Sequence, residues 1–231
     1  MDHSVLILDY STDRASGPLI RGWIPDGIEV RIHRPADEKG MPAPSGFTRV
    51  IHTGSALSIC DDAPFQAEAE RFILEASSAG VPQMGICYGH QLLVRSIVGR
   101  EAVRRSPEGV EAGWLEVCFS PLACRLVGIP RRARLFQFHF DEVVTLPEGA
   151  VVLAWSGHTI VQSFLDTGRR LFGCQFHPEF DKQRGDAQFL AERAKLAGCG
   201  LDADEVVAGS PDPPADGRFF DFFQRHPWEG R

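Results

Sequence analysis

Two short stretches of the chain hold residues whose types and spacing suit nucleophilic chemistry. Gly85-Ile86-Cys87-Tyr88-Gly89 has the form G-x-C-x-G, the arrangement of a serine nucleophile elbow with sulfur in place of oxygen. It follows an apolar run and opens a helical pattern, so Cys87 is expected on a tight turn between strand and helix. The flanking glycines remove Cβ atoms that would collide with those two elements, and the positive end of the helix favours negative charge on the sulfur. A cysteine without such neighbours reads as one more buried core thiol. Here the glycines reverse that reading.

A thiol nucleophile needs a base, and the only comparably dense stretch is Gly173-Cys174-Gln175-Phe176-His177-Pro178-Glu179. Pro178 keeps His177 out of helical geometry. In an extended segment residues two apart face the same side, so Glu179 can reach the His177 ring and hold the tautomer that accepts the thiol proton. His-Pro-Glu alone is compatible with a surface turn. Paired with the elbow, it completes a nucleophile, a base and an orienter.

The elements that must position these groups alternate. Val5 to Tyr10 and Gly27 to Ile32 read as strands, with a short helix from Gly17 to Trp23 between them. Val50-Ile51 is a third short strand, running into the loop His52-Thr53-Gly54-Ser55. From Pro64 to Ala79 the apolar residues Phe65, Ala69, Phe72, Ile73 and Ala76 recur at helical spacing, and Gly80 ends the pattern. Asp61-Asp62 are expected to cap that helix. Val81 to Ile86 reads as a buried strand and Gly89 to Val98 as a helix. This alternation predicts an α/β fold with a mostly parallel central sheet and helices on both faces, which binds ligands at strand carboxyl ends. After Gly99 the chain turns strand-rich, with runs at Trp114 to Phe119, Ala133 to Phe140, Val151 to Trp155, Thr159 to Phe164 and Leu171 to Phe176. Gln183 to Ala197 reads as a closing helix, residues 202–217 as a surface loop, and Phe219 to Phe223 as an aromatic segment that seals the core.

With 231 residues, the chain is long enough for one large core and short for two, so one domain over 1–231 is expected. A net charge of −7 disfavours a nucleic-acid surface. The start, Met1-Asp2-His3-Ser4, lacks a basic region, and Val5 to Leu8 is too short for a signal or membrane helix; the expected location is cytoplasmic. The six cysteines include no CxxC pair, so neither zinc nor a disulfide framework is expected. His52, His90 and His139 lack a metal-type spacing and read as packing or positioning residues. No metal and no cofactor are expected.

Taken together, Gly85 to Leu93 (Gly-Ile-Cys-Tyr-Gly-His-Gln-Leu-Leu), Gly113-Trp114, His139-Phe-Asp-Glu-Val143 and Gly173 to Glu179 resemble the class I glutamine amidotransferase domain, a flavodoxin-like fold. Within that group the chain is similar to stand-alone proteins that look like the amidotransferase half of GMP synthase. The resemblance implies Cys87 as nucleophile, His177 as acid and base, and Glu179 as third member of a triad. It implies an oxyanion hole from the backbone N–H of Tyr88 and one from the Gly54-Ser55 loop, and Gln91 as a ligand of the glutamyl moiety, with Phe138, His139 and Phe140 beside it. Two positions depart from the family pattern. Ser55 stands where a second glycine is usual, and Phe138 where a polar residue meets the substrate's amino-acid end.

No glycine-rich phosphate loop occurs in the chain, so an ammonia-accepting synthetase would be a separate polypeptide. Three functions remain open: an amidotransferase cleaving a γ-glutamyl amide for such a partner, a free-standing γ-glutamyl peptidase or hydrolase acting on a conjugate, and a non-catalytic binding or regulatory protein.

Overall fold

The computed structural model describes residues 3–211 and 217–228. Side-chain alternation along the strands sets its layout. In β1 (Ser4–Leu8) successive residues point to opposite faces: Val5 and Ile7 join one apolar cluster with Ile51, Met84 and Ile86, while Leu6 and Leu8 join another with Val50. A strand apolar on both faces needs cover on both faces. On the Leu6 side lie α2 (Gln66–Ser78) and α3 (Tyr88–Val98); on the Val5 side lie α1 (Ser16–Arg21), α4 (Pro121–Val127) and α8 (Arg218–Arg225).

Eight more strands join β1 in one sheet: β2 (Glu29–His33), β3 (Arg49–His52), β4 (Gln83–Ile86), β6 (Glu111–Phe119), β7 (Arg132–His139), β9 (Val151–Trp155), β10 (Ser163–Asp166) and β11 (Leu171–Cys174). Their spatial order is β2-β1-β3-β4-β11-β10-β9-β6-β7. From β2 to β11 the neighbours are parallel, and from β11 to β7 every junction is antiparallel. The α/β class and the helices on both faces therefore stand as expected, in a mixed sheet whose parallel part is one end. A separate ribbon pairs β5 (Val103–Arg105) with β8 (Asp141–Val143).

Several boundaries differ from the sequence reading. Thr159 does not begin a strand: Ser156 N–H donates to the Thr159 carbonyl at 2.8 Å, closing a turn that delays β10 to Ser163. The closing helix is two pieces, α5 (Lys182–Ala191) and α6 (Arg193–Gly198), broken at Glu192. Residues 202–211, expected as loop, hold α7 (Ala203–Ala208), capped by the Asp202 carboxylate and covered because Val206 and Val207 pack on Trp114 and Phe189; 212–216 lie outside the described residues. Nor do Asp61 and Asp62 cap α2. Asp62 pairs with Arg95 and Arg100, and Asp61 with Arg105, since two arginines of the neighbouring segment offer the carboxylate more than one helix end does. Among the described residues no helix is long and apolar enough to cross a membrane.

Helix α3 starts so close to β3 and β4 that two positions exclude a side chain. A Cβ on Gly85 would lie 2.5 Å from the Gly89 carbonyl oxygen, and one on Gly89 would strike the backbone of His52. Gly89→Ala is therefore expected to lose roughly 1–3 kcal/mol, the usual cost of overpacking. Gly157→Ala, whose Cβ meets nothing within 4 Å, should leave the urea midpoint unchanged; equal midpoints for the two variants would contradict this account of the elbow.

Candidate active site

Three adjacent parallel strands deliver the expected site residues to one edge of the sheet. The chain leaves β3 into Gly54, leaves β4 into Cys87, and leaves β11 into His177. Cys87 N–H donates to the Cys174 carbonyl at 2.8 Å, and Gly89 N–H to the Thr53 carbonyl at 3.1 Å, so the elbow is tied to both neighbours. Its backbone sits at φ 49°, ψ −106°, a region that a residue with a Cβ enters only at a cost. As the first residue of α3, Tyr88 has an N–H with no acceptor in its own helix. Its side chain turns away, donating from the hydroxyl to Gln66 at 3.1 Å.

Gly54 completes the edge. A Cβ there would stand 2.8 Å from His177 Cε1 and 3.5 Å from Cys87 Cβ, so the loop packs against both residues and only glycine fits there. Ser55, by contrast, is accommodated. Its Oγ accepts the Leu57 N–H at 3.1 Å, which points the hydroxyl into its own turn.

His177 is held from several sides. Its N–H donates to the Phe136 carbonyl at 3.0 Å, its ring lies edge-on between Phe136 and Phe180, and its Nδ1 meets Glu179 Oε1 at 2.7 Å. Burial opposes a charged ring here. The Glu179 carboxylate, hydrogen-bonded to the ring, and the neighbouring Cys87 sulfur outweigh it and push His177 up to about 10.

A cavity of about 500 Å³ opens over this edge. Cys87, His177, Gly54, Ser55, Tyr88, Gln91, Phe138, His139 and Phe140 all line it; Glu179 lies behind the ring, 1% exposed. Gln91 Nε2 donates to the Asp141 carbonyl at 2.9 Å and to Gln175 Oε1 at 3.0 Å. His139 has both ring nitrogens engaged, Nε2 with Glu111 at 2.9 Å and Nδ1 with the Asp141 carbonyl at 3.0 Å, so it shapes the wall and has no nitrogen left for a ligand. Away from the cavity, His52 bonds Tyr10 and Gln83, and burial brings it down to about 4. His90 packs on Phe164, and burial brings it down to about 3. Among the described residues no group of three metal-ligating side chains occurs.

Sequence reading missed two contributors. Lys195 places its ammonium 4.8 Å from the Phe138 ring centroid and 5.5 Å from that of Phe140; nothing in its local pattern announces this. Asp141 also lines the cavity, and its Oδ2 accepts from Ser58 and the Ile59 N–H while Oδ1, buried, has no partner. Its place two residues after His139 was a usable signal.

A cysteine on a strand-to-helix elbow thus lies beside an imidazole and a carboxylate at the carboxyl edge of the parallel part of the sheet. A model of the class-I glutamine amidotransferase family matches residues 60–196, and the chain belongs to that family. Among curated relatives, GMP synthase (glutamine-hydrolyzing) of Symbiobacterium thermophilum is 35% identical over 136 residues, 58% of this chain but 25% of that protein. A GMP synthase (glutamine-hydrolyzing) subunit of Saccharolobus solfataricus is 32% identical over 156 residues, 66% of this chain and 77% of that one. A solved glutamine amidotransferase from Thermotoga maritima superimposes with TM-score 0.77 at 22% identity over 90% of both chains. A putative GMP synthase subunit from Thermoplasma acidophilum does so with 0.67 at 18%, over 97% of this chain and 94% of that one; these two structures bear on fold.

The geometry makes a test of the ring's charge possible. Because the native ring is pushed up, it should stay protonated through neutral pH and lose its proton near 10. Glu179→Gln removes the carboxylate that favours the charge, so ¹⁵N NMR should show the His177 midpoint shifted downward. An unmoved midpoint would mean that Glu179 does not hold the ring.

Proposed function

We propose that this protein is a thiol-dependent amidase that hydrolyses a γ-glutamyl amide, glutamine or a γ-glutamyl conjugate, through a glutamyl thioester on Cys87. One observation carries the proposal: a strained elbow thiol touches an imidazole that a buried carboxylate holds, at the wall of one cavity.

The sulfur attacks the γ-carbonyl carbon, forming the C–S bond while the π electrons move to oxygen. The oxyanion is met by the Tyr88 N–H and an N–H of the Gly54-Ser55 loop, donors fixed before charge develops. The tetrahedral species collapses, the C–N bond breaks, and His177 supplies the proton with which ammonia or an amine departs. His177 then takes a proton from water, whose oxygen bonds to the thioester carbon; the C–S bond breaks with its electrons returning to sulfur, glutamate leaves, and the proton stays with the Cys87–His177 pair. Gln91 and Asp141 are the proposed partners of the glutamyl end.

The relatives named as GMP synthase subunits favour a reading in which a separate synthetase polypeptide uses the ammonia. Phe138 and Phe140 favour a second reading, a free-standing hydrolase of a conjugate. An amino-acid carboxylate or ammonium loses its hydrogen bonds against an apolar ring, whereas an apolar amine portion gains roughly 25 cal/mol per Å² of apolar area buried.

The test is a comparison of glutamate release from glutamine and from γ-glutamyl anilides, in the native protein and in Phe138→Asn. Native preference for the anilides, shifted toward glutamine by Phe138→Asn, supports the second reading. Preference for glutamine supports the first. No glutamate from any member of the panel would sink the amidase assignment.

A further inference from the structure

We infer that Trp23 is a positioning residue for the His177–Glu179 pair, and that helix α8 is the brace that keeps Trp23 in place. The inference rests on the hydrolytic reading above and adds to it a part of the chain that no motif touches.

Glu179 poses a mechanical problem. Among the described residues its carboxylate has one hydrogen-bond partner, His177 on Oε1, and its Oε2 is buried without a partner. A carboxylate anchored only by the ring it orients cannot fix that ring. Its position has to come from its own backbone, and there the Glu179 carbonyl accepts a 2.9 Å bond from Trp23 Nε1.

Trp23 is in turn fixed by the C-terminal helix. Its ring stacks on Phe220 with centroids 5.9 Å apart and planes 8° from parallel, and a Cβ on Gly217 would come within 2.9 Å of it. The same helix grips the other end of the segment: Phe219 packs on Phe176, the residue before His177, at 4.9 Å. One helix face thus bears on both flanks of Phe176 to Glu179. Phe219 and Phe220 are each 1% exposed, so these contacts are core contacts and move little. Trp23 and α8 both lie outside residues 60–196, the part that the family model matches.

The alternative is that Trp23 merely packs, its N–H finding the nearest acceptor. The two differ in what happens once the Glu179 carboxylate is gone. Trp23→Phe keeps the stacked ring and removes the N–H. We expect kcat for glutamate release to fall about tenfold, as a small misplacement of a reacting group does, with KM within about twofold. In a Glu179→Gln background the same change should cost less than about twofold, because coupled residues are not additive. The rate of Cys87 alkylation by iodoacetamide at neutral pH should follow the same cycle. It needs no substrate, so it judges the brace even where the hydrolytic reading fails. Phe220→Leu, which leaves the N–H and removes the stack, should give a weaker loss of the same pattern and carries the test if Trp23→Phe does not fold. Native alkylation and kcat in Trp23→Phe, or equal losses with and without the Glu179 carboxylate, would overturn the inference.

Discussion

The structure depends on one constraint, the backbone of Cys87 held at φ 49°, ψ −106°. A residue with a Cβ resists this conformation by about 1–3 kcal/mol, so the surroundings must over-determine it. They do so with two hydrogen bonds from the elbow, one to the end of β11 and one to the loop after β3, and with two glycines packed against backbone. The requirement propagates outward. Helix α3 can approach β3 only because Gly89 has no side chain, and that approach brings Gly54 against both the thiol and the imidazole. The parallel register of β3, β4 and β11 then leaves three chain exits side by side. Sheet topology and local strain therefore act together to bring Cys87, the His177 ring and Gly54 to one place.

The sequence carries that edge of the molecule plainly. Gly85 and Gly89 around Cys87, and Pro178 between His177 and Glu179, are local instructions, and local instructions can be read. Helices α2 and α3 follow from apolar periodicity for the same reason. What cannot be read is set by distant contacts. The antiparallel half of the sheet depends on pairings between segments far apart in sequence, so its strand starts drift, as at Thr159. Helix α7 reads as loop because the stretch 202–217 carries Pro211, Pro213 and Pro214, yet Val206 and Val207 find an apolar surface around Trp114. Asp62 resembles a helix cap until Arg95 and Arg100 arrive from another segment. The bond from Trp23 to Glu179 joins positions 156 apart in the numbering, and no local pattern encodes it.

The cavity itself joins two kinds of wall. One is the polar floor of Gln91, Asp141 and His139, whose groups are largely committed to one another. The other is the aromatic pair Phe138 and Phe140 with the Lys195 ammonium above them, a cation–π arrangement that an entering ligand would have to keep or replace. The groups of the proposed chemistry and those of the proposed selectivity sit on different elements, the former on the carboxyl ends of β3, β4 and β11, the latter on the end of β7 and on α6.

The central claim is that carbon–nitrogen cleavage passes through a covalent bond to Cys87. The most direct measurement is rapid acid quenching of the protein during turnover of a γ-glutamyl amide, followed by intact and peptide mass spectrometry. A transient glutamyl adduct is expected on the peptide carrying Cys87, present in the native protein, absent in Cys87→Ser and absent from the other five cysteines. Steady release of glutamate from the native protein with no adduct at any quench time, and undiminished release from Cys87→Ser, would contradict it.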